Sequence, residues 1–119
     1  MKKYFLWTLT FAWAILIWRL TTTTQIVVTE NSWLQNILMM VAHFCFFGIQ
    51  AILFRLSLTK SYILNPNFVP LVLTSLYGAL IEFRQLSVVG RSADPIDWVL
   101  DTLGAITFLL VLKKLQSKL

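Results

Sequence analysis

Four apolar stretches constrain the fold of this chain more than any other feature of its sequence. They run over about residues 4–20, 33–55, 68–86 and 96–113, and polar connecting segments separate them. A helix that crosses a bilayer needs about 20 mainly apolar residues, with a usual range of about 17–25. We therefore predict an all-α, polytopic membrane protein in which four transmembrane helices form a small bundle and a single domain over residues 1–119.

The composition supports a lipid environment and excludes several other classes of protein. Hydrophobic residues make up 58% of the chain and charged residues 13%, whereas soluble domains average about 45–50% and about 25%. The net charge of +5 comes from lysines and arginines at the ends of the apolar stretches, so we expect the lipid bilayer as partner and no nucleic acid. The single Cys45 excludes an internal disulfide and has no Cys-His metal spacing near it, and we predict neither a metal nor a cofactor.

The distribution of lysine and arginine predicts the orientation of the bundle. Cytoplasmic loops carry an excess of these residues. If both termini are cytoplasmic, seven of the ten lie on the inner side, namely Lys2, Lys3, Arg55, Lys60, Lys113, Lys114 and Lys118. The other three, Arg19, Arg84 and Arg91, then lie outside together with every acidic residue. We therefore place both termini in the cytoplasm.

Residues 77–105 gather charges at the ends of two apolar stretches that face each other. In the predicted orientation Glu82 lies in the last outer turns of the third helix, and Asp97 and Asp101 lie in the first turns of the fourth. A charge at the centre of a spanning helix costs roughly 2.5–3.5 kcal/mol, so such residues usually face the bundle interior and have partners. We expect these side chains to converge beneath the outer face.

Part of this charge is accounted for by the start of the fourth helix. Asp94 precedes Pro95, which favours the first helical position, so Asp94 is a natural N-cap. Asp97 stands where a capping box places its acid. Asp101 lies about 10 Å along the helix from Asp94, where no cap needs it. Asp94, Asp97, Asp101 and Gly104 share one helical face.

The second apolar stretch adds His43, which lies near the middle of its span. The predicted boundaries put His43 about 15 Å below the outer end and Asp101 about 8 Å below it, so a contact requires a shift of one turn or a tilted helix. Arg91, in the joining loop, is the internal cation that we expect beside the acids. The predicted ligand-binding residues are Glu82, Gln85, Arg91, Asp97, Asp101 and His43.

At these residues the sequence resembles the VanZ-like membrane proteins. The matching residues are His43-Phe44, Tyr77-Gly78, Glu82, Gln85, Gly90-Arg91-Ser92, Asp94, Asp97 and Gly104-Ala105. The family pattern has an acid and a glutamine spaced E-x-x-Q, then G-R, two aspartates, an asparagine and G-A. Here Asp101 replaces the asparagine, and Met39 and Met40 stand where the family often carries Asp-Lys before the histidine.

The resemblance implies a small four-span protein of the bacterial cytoplasmic membrane and the cell envelope. The family takes its name from a member associated with resistance to the glycopeptide teicoplanin. The charged residues suggest, as the first hypothesis, a polar pocket that opens to the outer leaflet and binds a lipid head group or a cell-wall precursor. The name of the resembling family implies a contribution to antibiotic resistance. The two departures make the site more acidic than the family pattern.

Three alternatives stay open at this point. The same acidic cluster would serve an intramembrane enzyme, with His43 as a relay. However, the chain contains no H-E-x-x-H, no G-x-S-x-G and no paired cysteine. An enzyme is therefore the less favoured interpretation, and no catalytic residue is assigned. It would also serve a transporter, which would have to oligomerise because four short spans are few; the sequence does not fix the oligomeric state. Finally, the charges would serve a structural role if they only hold the third and fourth helices together.

Overall fold

The computed structural model describes residues 2–22, 27–58, 66–88 and 94–118, which form four α-helices. They are α1 (Lys2–Thr22), α2 (Ser32–Ser57), α3 (Phe68–Gln85) and α4 (Pro95–Ser117). No strand occurs within these described ranges. The all-α prediction is therefore confirmed, and the observed helices contain or nearly match the predicted spans. The largest difference is at α4, which continues four residues past the predicted end through Lys113 and Lys114.

Local sequence sets where the helices begin. The side chain of Asn31 caps α2 by accepting a hydrogen bond from the backbone nitrogen of Leu34 at 3.1 Å. Asp94 caps α4 by accepting from the backbone nitrogen of Ile96 at 3.0 Å, and Pro95 occupies the first helical position, as predicted. Both caps satisfy backbone donors that a helix start would otherwise leave unpaired.

Length and apolar composition are sufficient for a membrane crossing in three of the helices that the structure describes. These are α1, α2 and α4. The 18 residues of α3 extend about 27 Å at 1.5 Å per residue, slightly less than the hydrocarbon core of about 30 Å. The three long apolar helices thus indicate a membrane protein. That α3 forms a fourth span and that both termini are cytoplasmic remain predictions.

The bundle is built around α2, which packs most extensively against α4 and also contacts α1 and α3. One buried apolar cluster joins Ile17, Phe47 and Ile81 from α1, α2 and α3. A second joins Ala51 of α2 to Ala105 and Leu109 of α4. Large apolar side chains cover the outside of the bundle, among them Phe11, Ile15, Leu76, Phe83 and Leu110, as expected for a surface that contacts lipid.

Small residues allow the helices to approach, but not all in the predicted place. The sequence places four small residues, Gly78, Ala79, Gly104 and Ala105, on the third and fourth apolar stretches, and this predicts a close approach of α3 and α4. Gly78 permits this approach, since a Cβ there would lie 3.0 Å from Oδ2 of Asp101 and 3.3 Å from the Trp98 ring. Gly104 instead packs against α2, where its Cα faces the backbone carbonyl of Phe44. The expectation for Gly104 was wrong because the closest partner of α4 is α2, which comes two helices earlier in the chain.

Candidate functional site

A histidine and an aspartate meet inside the bundle. His43 Nδ1 on α2 lies 2.8 Å from Asp101 Oδ1 on α4, within hydrogen-bonding distance. Asp101 is fully buried, and the His43 side chain is only 10% exposed. A buried carboxylate needs such a partner because its desolvation is costly.

The contact decides a point that the sequence left open. His43 is 11 residues into α2 and Asp101 is six residues into α4. These two helices run in the same direction, so their contact requires α2 to begin about 7 Å beyond α4, at 1.5 Å per residue, or the pair to tilt. His43 therefore joins the acidic group, and the stagger of α2 and α4 makes this possible.

Glu82 brings the third helix to the same place. One ligand atom each from His43, Glu82 and Asp101 lies within 4.8 Å of the other two. Glu82 Oε2 accepts a hydrogen bond from the backbone nitrogen of Asp94 at 2.9 Å, which ties the end of α3 to the start of α4. We call His43, Glu82 and Asp101 the polar triplet.

Two oxygens of the polar triplet remain unsatisfied. Glu82 Oε1 and Asp101 Oδ2 are buried, and no hydrogen-bond donor in the described part of the chain reaches either of them. Glu82 is 9% exposed and Asp101 is 0% exposed. Buried polar atoms are nearly always paired, so two such oxygens on neighbouring side chains are candidate acceptors for a further group.

Asp97 lies at the edge of this arrangement. Its Oδ2 is 3.9 Å from His43 Nε2, whereas Asp101 contacts the other ring nitrogen, Nδ1. The backbone nitrogen of Asp94, which a capping box would pair with Asp97, donates to Glu82. Asp97 and Asp101 thus share the α4 face toward α2, as the helical spacing predicted.

The remaining predicted site residues stand apart from the triplet or outside the described residues. Gln85 is buried, and its side-chain nitrogen donates to the backbone carbonyl of Thr21 at 3.1 Å. That bond joins α3 to the end of α1, so Gln85 has a packing contact one turn away from Glu82. Arg91 lies outside the described residues.

Two cavities flank the polar triplet. One, of about 180 Å³, is mostly apolar; His43 is on its wall together with Ile17, Met39 and Phe47. The other, of about 280 Å³, is a shallow depression over α3 and α4 that Glu82, Asp94 and Trp98 line. A mostly apolar cavity on the His43 side and a mostly apolar depression on the Glu82 side therefore border the same buried group.

Comparison with known families identifies the fold family of the chain. The family model described as VanZ/LLP1 matches residues 3–116 of the 119. The chain belongs to the VanZ/LLP1 family. No curated protein and no solved structure matches it.

Within this VanZ/LLP1 chain, several residues near the site had no functional signal in the sequence. Met39 lines the apolar cavity next to His43. It stands where VanZ-like proteins often carry a charged residue. Ser75 and Thr102 form a hydrogen bond of 3.0 Å between α3 and α4, and the Trp98 ring nitrogen donates to the Ser75 carbonyl at 2.9 Å. Serine, threonine and tryptophan are common in membrane helices, so only the tertiary contact distinguishes these.

Proposed function

We propose that this VanZ/LLP1 protein binds a lipid head group or a lipid-linked envelope precursor at the polar triplet, in the bacterial cytoplasmic membrane, and thereby contributes to glycopeptide resistance of the teicoplanin type. The observation that supports binding most strongly is the pair of buried, unsatisfied oxygens on Glu82 and Asp101, for which the described residues supply no donor. A ligand with an amine or hydroxyl group would donate to them. Each such bond to a charged group contributes about 1.5–3 kcal/mol.

The flanking cavities support a lipid as the ligand. The cavity beside His43 and the depression over α3 and α4 both have mainly apolar linings that suit acyl chains, and the polar atoms of His43 and Glu82 on their walls would contact a head group. Binding sites combine an apolar lining with a few polar groups that fix orientation. Arg91, a predicted ligand-binding residue that lies close to this region in the sequence, would bind a phosphate of the same ligand.

The predicted orientation places this site where envelope precursors are used. With both termini cytoplasmic, the amino ends of α2 and α4 lie at the outer face, and the triplet lies beneath the outer head groups. Glycopeptides act at that surface. Binding of a head group or precursor there would change what the antibiotic meets.

Susceptibility measurements test the proposal. Teicoplanin and vancomycin susceptibility is compared in a sensitive host with and without the gene, and with Asp101→Asn, His43→Ala and Arg91→Ala variants. Glu30→Gln is the matched control, because it also removes one carboxylate from the predicted outer side, at an exposed residue that lines neither cavity. We expect the gene to lower susceptibility and the first three variants to lose the effect at equal membrane abundance.

Two results would contradict this function. Wild-type protein that accumulates in the membrane and leaves susceptibility to both antibiotics unchanged would refute resistance. Variants of the triplet that protect as well as Glu30→Gln would show that the triplet has no part in resistance. Immunoblots of the membrane fraction separate loss of activity from loss of protein.

One observation favours a second candidate, an intramembrane enzyme. The His43 ring is oriented by the buried Asp101 carboxylate at 2.8 Å, the arrangement that orients a general base in many hydrolases. Turnover of lipid-linked precursors by purified protein, lost in His43→Ala, would support an enzyme. Head-group binding without product formation would leave the binding function alone.

A further inference from the structure

The donor atoms of the polar triplet come from three different helices. α2 supplies an imidazole nitrogen, α3 a carboxylate oxygen and α4 another carboxylate oxygen. All three side chains lie inside the bundle, and their ligand atoms are within 4.8 Å of one another. We propose that His43, Glu82 and Asp101 form a binding site for one divalent transition-metal ion, Zn²⁺ or Mn²⁺.

The set of donors indicates the class of metal. Imidazole suits zinc and other transition metals, while Mg²⁺ and Ca²⁺ prefer oxygen ligands alone. One histidine and two carboxylates therefore match Zn²⁺ or Mn²⁺ better than Mg²⁺ or Ca²⁺. Three protein ligands also leave at least one coordination position open for water or for a ligand oxygen.

Charge balance supports the same conclusion. Two ionised carboxylates in an apolar bundle repel each other and lose their hydration. A divalent ion would neutralise the two negative charges of Glu82 and Asp101. The interaction of two unit charges at about 4 Å is much stronger in a low-dielectric interior than in water, so the gain from one shared cation is large.

The unsatisfied oxygens are an independent observation that points to a bound group. Asp101 Oδ2 and Glu82 Oε1 are buried, and neither finds a donor over residues 2–22, 27–58, 66–88 and 94–118. Asp101 itself is 0% exposed and Glu82 9%. Each carboxylate has its second oxygen already engaged, on His43 and on the backbone of Asp94 respectively. The bond from the Asp94 backbone holds the Glu82 carboxylate in place, as outer partners do in many metal sites, and the ion would replace the proton between His43 and Asp101.

The distances require only a modest contraction. Ligands on a tetrahedral zinc shell of about 2.0–2.2 Å lie about 3.3–3.6 Å apart. The observed limit of 4.8 Å exceeds this by little more than 1 Å. Glu82 has the longest and most adaptable side chain of the three, so a rotation of its carboxylate would close the difference while Asp101 stays fixed beside Gly78.

Metal titration of the purified protein tests the site. The protein is prepared in lipid-free detergent with a tag that contains no histidine, treated with a chelator, and titrated calorimetrically with Zn²⁺, Mn²⁺ and Mg²⁺. We expect one Zn²⁺ or Mn²⁺ per chain and much weaker Mg²⁺ binding. Asp101→Asn and Glu82→Gln should each weaken binding by about 100-fold or more, since even outer partners contribute about 10–100-fold.

Two control variants have matched chemistry. Cys45→Ser removes the thiol two residues after His43, and Glu30→Gln removes an exposed carboxylate just before α2. Both should bind the ion as the wild type does. X-ray absorption of the zinc-loaded wild type should give nitrogen and oxygen ligands, and this measurement does not depend on how well any variant folds.

Three results would overturn the ion site. The first is that the wild type shows no saturable binding. The second is that Asp101→Asn and Glu82→Gln bind the ion with the affinity of the wild type. The third is a sulfur ligand at about 2.3 Å, which would place the ion on Cys45. The first would mean that a shared proton or water satisfies the two oxygens. Because this titration contains neither lipid nor antibiotic, its outcome is independent of the susceptibility test, and either proposal can fail without the other.

Discussion

Replacing Gly104 by alanine should destabilise the bundle and separate the two helices that hold the polar triplet. The new Cβ would overlap the backbone carbonyl of Phe44. Because non-bonded heavy atoms settle about 3.5–4.0 Å apart, α2 and α4 would have to move apart by about 1 Å. His43 and Asp101 are immediate neighbours of this contact, one residue before Phe44 and three residues before Gly104.

The expected magnitude follows from three terms. Overpacking costs about 1–3 kcal/mol, and the upper end applies because a carbonyl of the main chain cannot turn aside. The His43–Asp101 bond would lengthen from 2.8 Å past the hydrogen-bonding limit, which costs about 0.6–1.7 kcal/mol in a membrane helix pair. In the opposite direction, the higher helix propensity of alanine over glycine stabilises the helix by about 1 kcal/mol. The free energy of unfolding should therefore fall by about 2.6–3.7 kcal/mol.

The assay is reversible unfolding in mixed micelles with increasing SDS, followed by circular dichroism. Gly48→Ala is the matched control on the same α2–α4 interface, because the three atoms nearest to its Cβ belong to the side chain of Phe108, which can change rotamer, and none is a main-chain atom. Its free energy of unfolding should stay within about 1 kcal/mol of wild type. Equal stability of Gly104→Ala and Gly48→Ala would refute the close backbone contact at Gly104.

Two further predictions concern packing and orientation. Gln85→Leu removes the hydrogen bond to the Thr21 carbonyl and should lower the free energy of unfolding by about 1 kcal/mol; unchanged stability in the same SDS titration would show that this bond does not join α3 to α1. A fluorescent reporter fused after the last residue should fluoresce in the cytoplasm, and an alkaline phosphatase fused there should be inactive, because the lysine and arginine distribution places the carboxyl end inside. The opposite pair of results would invert the bundle and move the polar triplet to the cytoplasmic leaflet.

Much of the fold was predictable because lipid imposes a simple rule on sequence. Backbone groups in hydrocarbon must be satisfied within the segment, so a long apolar stretch becomes a helix whatever its neighbours are. For the same reason Asp94 and Pro95 fixed the start of α4, since a cap depends only on adjacent residues. The end of α4 was less predictable, because lysines at a membrane surface are equally compatible with helix and loop.

The candidate site was predictable in part. Asp97 and Asp101 share a face by helical spacing, and the high cost of charge in lipid indicated that Asp101 and Glu82 would point inward. The role of Gln85 was not predictable, because an amide in a membrane helix bonds equally well to a ligand or to a neighbouring carbonyl. The contact between Gly104 and Phe44 depends on which helices are neighbours, and spacing along one helix contains no such information.

The sequence by itself determined that this chain forms apolar helices, where α4 begins, and that acidic side chains would lie on the inner faces of α3 and α4. These features are local: each follows from residues within a few turns and from the free-energy cost of exposing polar groups to lipid. Only the tertiary structure decided that His43 meets Asp101 at 2.8 Å, since that contact depends on the stagger of α2 against α4. Close packing of two helices that are distant in the chain sets this stagger, and a shift of one helical turn would separate the pair by about 5 Å.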